Sequence, residues 1–325
     1  MEKCNSFVFN NLLEYLVPDV SNILYKISDT KKDVVEEIRL KNNKPILIYY
    51  NGSDYFVSKT GQLIKDQKES IYITKEQLQK TFQIISNYSV YAFEEEIKSG
   101  FITLKGGHRV GLAGKVIYGP NGIETIRNIS SLNIRIAHEI TGVSNNIMKY
   151  ILKQPNTIYN TLIISPPQCG KTTLLRDIVR NISDGMPRYS FNGLKVGLVD
   201  ERSEIAGVYN GTPQNNVGLR TDILDGCLKS DGIIILIRAM SPDVIATDEL
   251  GSVDDIIAIH EALKTGVKLI STVHGEDLED IFAKKNLGQI IEEKIFRRII
   301  ILDNSKGVGT VRDILDGYTF RSILH

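Results

Sequence analysis

Net charge, cysteine and long apolar runs are all scarce in this 325-residue chain. Lysine plus arginine and aspartate plus glutamate number 39 each, so the formal charge is zero. That balance removes the global electrostatic signature of a nucleic-acid or membrane-surface binder and leaves room only for local patches. The 3 cysteines, Cys4, Cys169 and Cys227, show no metal-ligand spacing. An odd count without a pattern points to a reducing compartment and away from a disulfide scaffold. No apolar run approaches the roughly 18 residues that cross a bilayer, and the longest, Gly232 to Met240, contains Arg238. The start, Met1-Glu2-Lys3, lacks the basic-then-apolar order of a secretion signal. The expected location is cytoplasmic, with membrane contact only through partners.

What is present is enough chain for two domains, each able to bury its own core. The second is organised around Thr161 to Arg180, TLIISPPQCGKTTLLRDIVR. Leu162, Ile163 and Ile164 predict a buried strand. A Pro166-Pro167 turn follows, and Gly170-Lys171-Thr172-Thr173 opens an amphipathic helix. Strand, loop and helix in that order form a phosphate-binding loop: backbone N–H groups and a helix N-terminus face an anion, and a lysine adds a point charge. The expected nucleotide-binding residues are Ser165, Pro166, Pro167, Gln168, Cys169, Gly170, Lys171, Thr172 and Thr173. Lys171 would reach the β- and γ-phosphates of ATP, and the Thr172 hydroxyl would sit on Mg²⁺. Ser165 stands where the pattern asks for glycine. The loop tolerates it if that residue is extended, as at a strand end, because serine does not take positive φ as freely as glycine.

Residues 6 to 28 carry apolar positions at helical spacing broken by Pro18, which predicts two short helices. EEIRL, PILIYY and DYFVS then read as a small strand meander, and residues 75 to 99 as helix. A glycine-dense strand pair over Gly100 to Lys115 places Arg109 on a tight hairpin. In a strand over Ser130 to Ile136, Asn133 and Arg135 alternate with apolar neighbours and share one face. Gly142 to Pro155 reads as a helix leading into the nucleotide core, so the expected domains are 1–141 and 142–325. Beyond the loop, strands are expected at Lys195–Val199, Val244–Thr247, Val267–Thr272, Arg298–Leu302 and Thr310–Ile314. Helices are expected at Ser252–Lys264, Leu278–Leu287 and Glu292–Phe296. Such alternation argues for an α/β domain with a mainly parallel sheet and ligands at the carboxyl ends of its strands.

Three further groups lie at such ends. Val244-Ile-Ala-Thr-Asp248-Glu249 delivers two carboxylates, Asp248 to hold Mg²⁺ and Glu249 to orient or deprotonate the attacking water. Asp200-Glu201-Arg202-Ser203-Glu204 follows a buried strand and can assist the metal or the water; an ion-paired loop is the plain alternative. Ser271-Thr272-Val273-His274 can place a polar sensor beside the γ-phosphate. Arg220, in a polar loop from Asn210 to Asp222, and Arg238 are candidates to stabilise transition-state charge in cis or from a neighbour.

Taken together, SPPQCGKTTLLRDIVR, GLVDERSEIAG, PQNNVGLRTDILDGC, SPDVIATDELG and STVHG resemble the stage III sporulation protein AA family, which is related to the ATPases of type II secretion and type IV pilus machines. The likeness is dense from about residue 160 to 275 and thinner through EEIRL, GGHRVGLAGKV and SLNIRIAHEI. The resemblance implies a RecA-like P-loop ATPase core preceded by a smaller α+β domain. It also implies a mother-cell ATPase, a hexameric ring at the cytoplasmic base of a membrane channel complex. Lys171 and Thr172 then match the phosphate loop, Asp248 and Glu249 the second nucleotide motif, Asp200 to Glu204 the acidic box, and His274 the histidine box. Arg109 and Arg135 resemble first-domain arginines that reach a neighbour's nucleotide. Two other readings share this core, a nucleic-acid-dependent ATPase and a nucleotide-gated scaffold with little turnover. No nucleic-acid partner is expected from the neutral composition.

Overall fold

The computed structural model describes residues 5–120 and 122–324; Met1-Glu2-Lys3 and Cys4 lie outside them. The chain divides into two compact units. The first runs up to His138 and takes in Tyr209–Gln214; the second comprises Glu139–Val208 and the chain from Asn215 onward.

In the first unit Pro18 opens its own helix, so the amino-terminal helical pattern splits into α1 (Asn5–Leu12) and α2 (Pro18–Leu24). The meander follows as β1 (Val35–Lys41), β2 (Leu47–Tyr50), β3 (Ser53–Val57) and β4 (Leu63–Ile64). Helix α3 (Lys75–Ile85) starts on a Thr74–Gln77 capping box, and α4 (Glu94–Ser99) ends on Gly100 in the left-handed region. Strands β5 (Phe101–Thr103), β6 (Arg109–Gly119) and β7 (Gly122–Arg135) complete an antiparallel sheet of order β4-β3-β2-β1-β7-β6-β5. Alternation decides its faces: Ile38, Leu40, Val110, Leu132 and Ile134 are buried, with α3 and α4 packed on β7. Glu37, Arg39, Asn133 and Arg135 take the other face. The turn before β6 needs glycine, since Gly106 and Gly107 have φ of +91° and +78°.

The second unit contains β8 (Thr161–Ser165), α5 (Lys171–Asp184), β9 (Val196–Asp200), β10 (Thr221–Asp225), α6 (Lys229–Met240), β11 (Val244–Glu249), α7 (Val253–Lys264), β12 (Lys268–His274), α8 (Leu278–Ala283), α9 (Lys285–Glu292), β13 (Arg298–Asp303) and β14 (Thr310–Asp316). The sheet order is β10-β9-β11-β12-β8-β13-β14; every pairing is parallel except that of the edge strand β14. Every residue of β8 and β9 is buried, as parallel strands covered on both faces must be. Ile163, Leu198 and Ala246 pack with Leu175 and Ile178 of α5 on one side. Leu162, Val199 and Ile245 pack with Ile233 of α6 and Ile259 of α7 on the other. The central order leaves β8, β9, β11 and β12 adjacent, so Ser165, Asp200, Glu249 and His274 end on one edge.

Some expected elements differ. Over 142–155 only Met148–Ile151 is helical. Gly142 sits at φ +85°, the Asp177 carboxylate holds the amides of Gly142 and Ser144, and Gln154 precedes a proline, so helix is restricted at both ends. The helix expected over 278–287 is two, broken at Lys284, whose backbone is extended. No helix forms over 292–296, because α9 ends at Glu292 and Lys294 turns with φ +55°. The loop expected over 210–222 gives way to the edge strand β10 at Thr221.

Candidate functional site

Ser165 is the last residue of β8, buried and paired in register with His274, so its backbone is extended and glycine is not required there. The positive φ values of the loop fall at Gln168 (+60°) and Gly170 (+79°) instead. A Cβ on Gly170 would lie 3.1 Å from the Cα of Gly309, whose amide donates to the Cys169 carbonyl at 3.1 Å. Cys169 is buried, a packing residue, while Pro167 and Gln168 are exposed. Gly170 gives α5 no side-chain cap, and its first turn carries no acidic residue. The amides of Lys171, Thr172 and Thr173 thus have no intrahelical acceptor, and the positive end of the helix dipole faces the loop. That arrangement receives phosphate.

Opposite the loop, β11 delivers its carboxylates through an irregularity. Its register against β12 shifts between Ala246 and Glu249, a local bulge of the kind that re-aims side chains. Ser271 on β12 stabilises it, its hydroxyl donating to the carbonyls of Asp248 (2.9 Å) and Thr247 (3.3 Å). Glu249 Oε2 lies 3.6 Å from Lys171 Nζ and 3.0 Å from His274 Nε2. Burial lowers the pKa of Lys171 while Glu249 acts against that shift. Burial pushes Asp248 up to about 6, opposed by Lys229 and reinforced by Asp200 and Glu201.

Four buried polar atoms cluster at the ends of β11 and β12 without a hydrogen-bond partner: Thr247 Oγ1, Asp248 Oδ1, Thr272 Oγ1 and His274 Nδ1. Folded proteins satisfy nearly all such groups, so a cluster of them beside an anion-receiving loop fits a polar ligand. Among the described residues no group of three or more His, Cys, Asp or Glu side chains could form a metal cage. Mg²⁺ needs none, since it binds through one or two carboxylates plus substrate phosphates and keeps several waters. The hydroxyl of Thr172, in the first turn of α5, and the Asp248 oxygen without a hydrogen bond fit that donor set.

The acidic loop divides into two jobs. Asp200 is buried and accepts from the amides of Glu204 (2.9 Å), Ile205 (3.0 Å) and Ala206 (2.8 Å), so it shapes the loop. Burial raises its pKa against those bonds. Arg176 of α5, also buried, donates to the carbonyls of Ile205 (2.5 Å) and Glu204 (2.7 Å), fastening the same loop to the helix. Glu201 instead pairs with Lys229, whose ammonium also lies 3.6 Å from Asp248 Oδ1. Burial alone would lower the pKa of Lys229; Glu201 and Asp248 outweigh it and raise it. Arg202 and Glu204 are exposed.

The structure therefore brings the loop, Asp248, Glu249, His274 and Glu201 to one edge. It does not bring Arg220 there: its Nη1 donates to the carbonyls of Ser183 (2.7 Å) and Asp184 (3.4 Å), at the opposite end of α5 from the phosphate loop. Arg238 is exposed in the last turn of α6. Arg109 and Arg135 are cross-strand neighbours in the first unit. Arg135 Nε is 3.7 Å from Glu37, which Arg39 also holds, and the Arg109 guanidinium lies 3.5 Å above the Phe101 ring. Sequence reasoning missed Lys229 and Arg176, and gave Ser271 no role of its own. Lys229 could have been found had Thr221–Asp225 been read as a strand, since the residues after it then reach the same edge.

Residues 10–321 match the family described as Sporulation stage III, protein AA. The chain is 40% identical over 307 residues to the stage III sporulation protein AA of Bacillus subtilis (strain 168), an alignment covering 94% of this chain and 95% of that protein. Among solved structures it is similar to the pilus retraction motor PilT with bound ADP (TM-score 0.54, 12% identity, 82% of this chain and 74% of that one). It is also similar to the Legionella pneumophila ATPase DotB (TM-score 0.51, 17% identity, 82% and 71%). The second unit thus has the RecA-like P-loop fold of the secretion and pilus ATPases.

Proposed function

This chain belongs to the sporulation stage III protein AA family, and from that premise we propose that it is a Mg²⁺-dependent ATPase. In this reading it works as a homohexameric ring at the cytoplasmic face of a sporulation channel complex in the mother cell. There hydrolysis drives transport or channel assembly through membrane-embedded partners. No helix among the described residues is long and apolar enough to cross a membrane, so the reading assigns the membrane to those partners. The observation that carries the proposal is Glu249 held between Lys171 and His274, beside an Asp248 oxygen that has no hydrogen bond and only a 3.6 Å ion pair to Lys229, and below the bare N-terminus of α5.

The loop amides from Gln168 to Thr173 and the Lys171 ammonium bind and orient the phosphates of ATP. Thr172 and Asp248 would hold Mg²⁺, which when bound neutralises charge on the transferring phosphoryl group. Attraction to the triphosphate draws Lys171 from Glu249, leaving that carboxylate to orient the attacking water and accept its proton. Phosphate is then released as water adds in line to the γ-phosphorus and the bond to ADP breaks. His274 keeps its hold on Glu249 and senses the γ-phosphate, and Glu201 and Glu204 border the water and the metal. With Arg220 engaged at the far end of α5, Arg135, whose side chain is 61% exposed, is the better candidate to reach a neighbouring copy's nucleotide.

The test is nucleotide retention after gel filtration with Mg²⁺ and ATP. Glu249→Gln should retain ATP unhydrolysed, and Lys171→Ala should retain none. Turnover near the wild-type rate in Glu249→Gln would defeat the assignment.

A further inference from the structure

We propose that Lys229 is a positioning residue that makes divalent-cation binding conditional on nucleotide. Its ammonium stands between Glu201 and Asp248, in the electrostatic place of the cation, until a metal–nucleotide complex draws Asp248 away from it. This deepens the magnesium–nucleotide reading above and rests on it.

The location of Lys229 is not explained by its own helix. It is the first residue of α6, Leu228 before it makes no capping bond, and a cation at a helix N-terminus opposes the macrodipole. Its side chain is nonetheless 11% exposed and its nitrogen lies against two carboxylates of other elements. A residue that breaks a local rule while completing a site is the expected mark of function. The surroundings agree in charge: Asp200, Glu201, Glu204, Asp248 and Glu249 all belong to this edge, and Lys171 is engaged with Glu249. Without Lys229, Glu201 and Asp248 would face each other uncompensated and would attract any divalent cation. With it, one positive charge already lies between the two carboxylates, and the metal must arrive with phosphates that supply the missing ligands. The contact with Asp248, at 3.6 Å, is the looser of the two, so the ammonium can yield there and stay on Glu201. A lysine suits the role as a compact point charge on a flexible stem.

Mn²⁺ titration of the full chain, followed by the electron paramagnetic resonance of free Mn²⁺, tests this with and without a non-hydrolysable ATP analogue. Without nucleotide, Lys229→Gln should bind Mn²⁺ about tenfold or more tighter than wild type, equal to about 1.4 kcal/mol. Lys229→Arg, which keeps the charge, should stay near wild type, and Asp248→Asn added to Lys229→Gln should remove the gain. Equal nucleotide-free affinity in wild type and Lys229→Gln, with normal Mn²⁺ uptake alongside the analogue, overturns the role of Lys229 alone. Wild type that takes up no Mn²⁺ with the analogue overturns the nucleotide reading instead. If Lys229→Gln does not fold, Glu201→Gln serves. It should move the ammonium fully onto Asp248 and weaken Mn²⁺ uptake with the analogue several-fold; unchanged uptake overturns the proposal.

Discussion

His108 is 2% exposed and its Nδ1 accepts the amide of Ala137 at 3.1 Å, which puts the ring proton on Nε2. Burial, with a smaller contribution from His138, lowers its pKa to about 4. An unfolded chain holds that histidine near 6.5 and so binds more protons than the folded one between those values. The neutral ring's contribution is full above about 6.5 and is lost as pH falls towards 4, a change of about 3 kcal/mol for a shift of that size. Urea unfolding at pH 7 and pH 5 should show the loss in wild type and a much smaller one in His108→Asn. Equal slopes in the two proteins would contradict it. At the same scale, Ser165 shows how a departure from a motif is absorbed: as an extended strand end it leaves the glycine requirement to Gly170.

Helix α5 is the element on which the site depends. Its amino end faces the phosphate loop, Arg176 holds the acidic loop, and Asp177 holds the opening segment of the second unit. Asp177 accepts from the amides of Gly142 (2.9 Å) and Ser144 (2.8 Å), from the Ser144 hydroxyl (2.7 Å) and from Arg180 (2.7 Å). Burial raises its pKa, but these bonds outweigh that and lower it overall. Asp177→Ala strands these donors and should cost about 3 kcal/mol in urea unfolding; a loss below about 1 kcal/mol would show that the bonds are replaceable. This element and the strands around it were legible because their signals are strong and local: a buried run, a glycine, a lysine and helical spacing in sequence. The Asp248–Glu249 and Ser271–His274 strands were legible for the same reason. The 142–155 segment was not, since what stops its helix is a carboxylate 33 residues away from Ser144. Nor was Lys229, since its partners come from the turn after β9 and from β11, and its neighbours Ile233 to Ile237 look like any buried run.

The molecule has separate cores in its two units, and the proposed ligand site lies in the second. A ligand that binds only the folded state stabilises it by mass action, about 2.7 kcal/mol at a hundred times its dissociation constant. Magnesium with a non-hydrolysable ATP analogue should therefore slow hydrogen exchange at 165–175, 247–251 and 271–275. The same addition should do nothing to Lys171→Ala. Protection that persists in that variant would place the nucleotide elsewhere.

The most direct measurement is steady-state phosphate release from ATP with particle mass determined in the same buffer, for wild type and Lys171→Ala, with and without single-stranded nucleic acid. A ring ATPase predicts release that rises as the chain assembles, disappears in Lys171→Ala and is indifferent to nucleic acid. Release that survives in Lys171→Ala, depends on nucleic acid, or is absent from an assembled wild-type ring would contradict it.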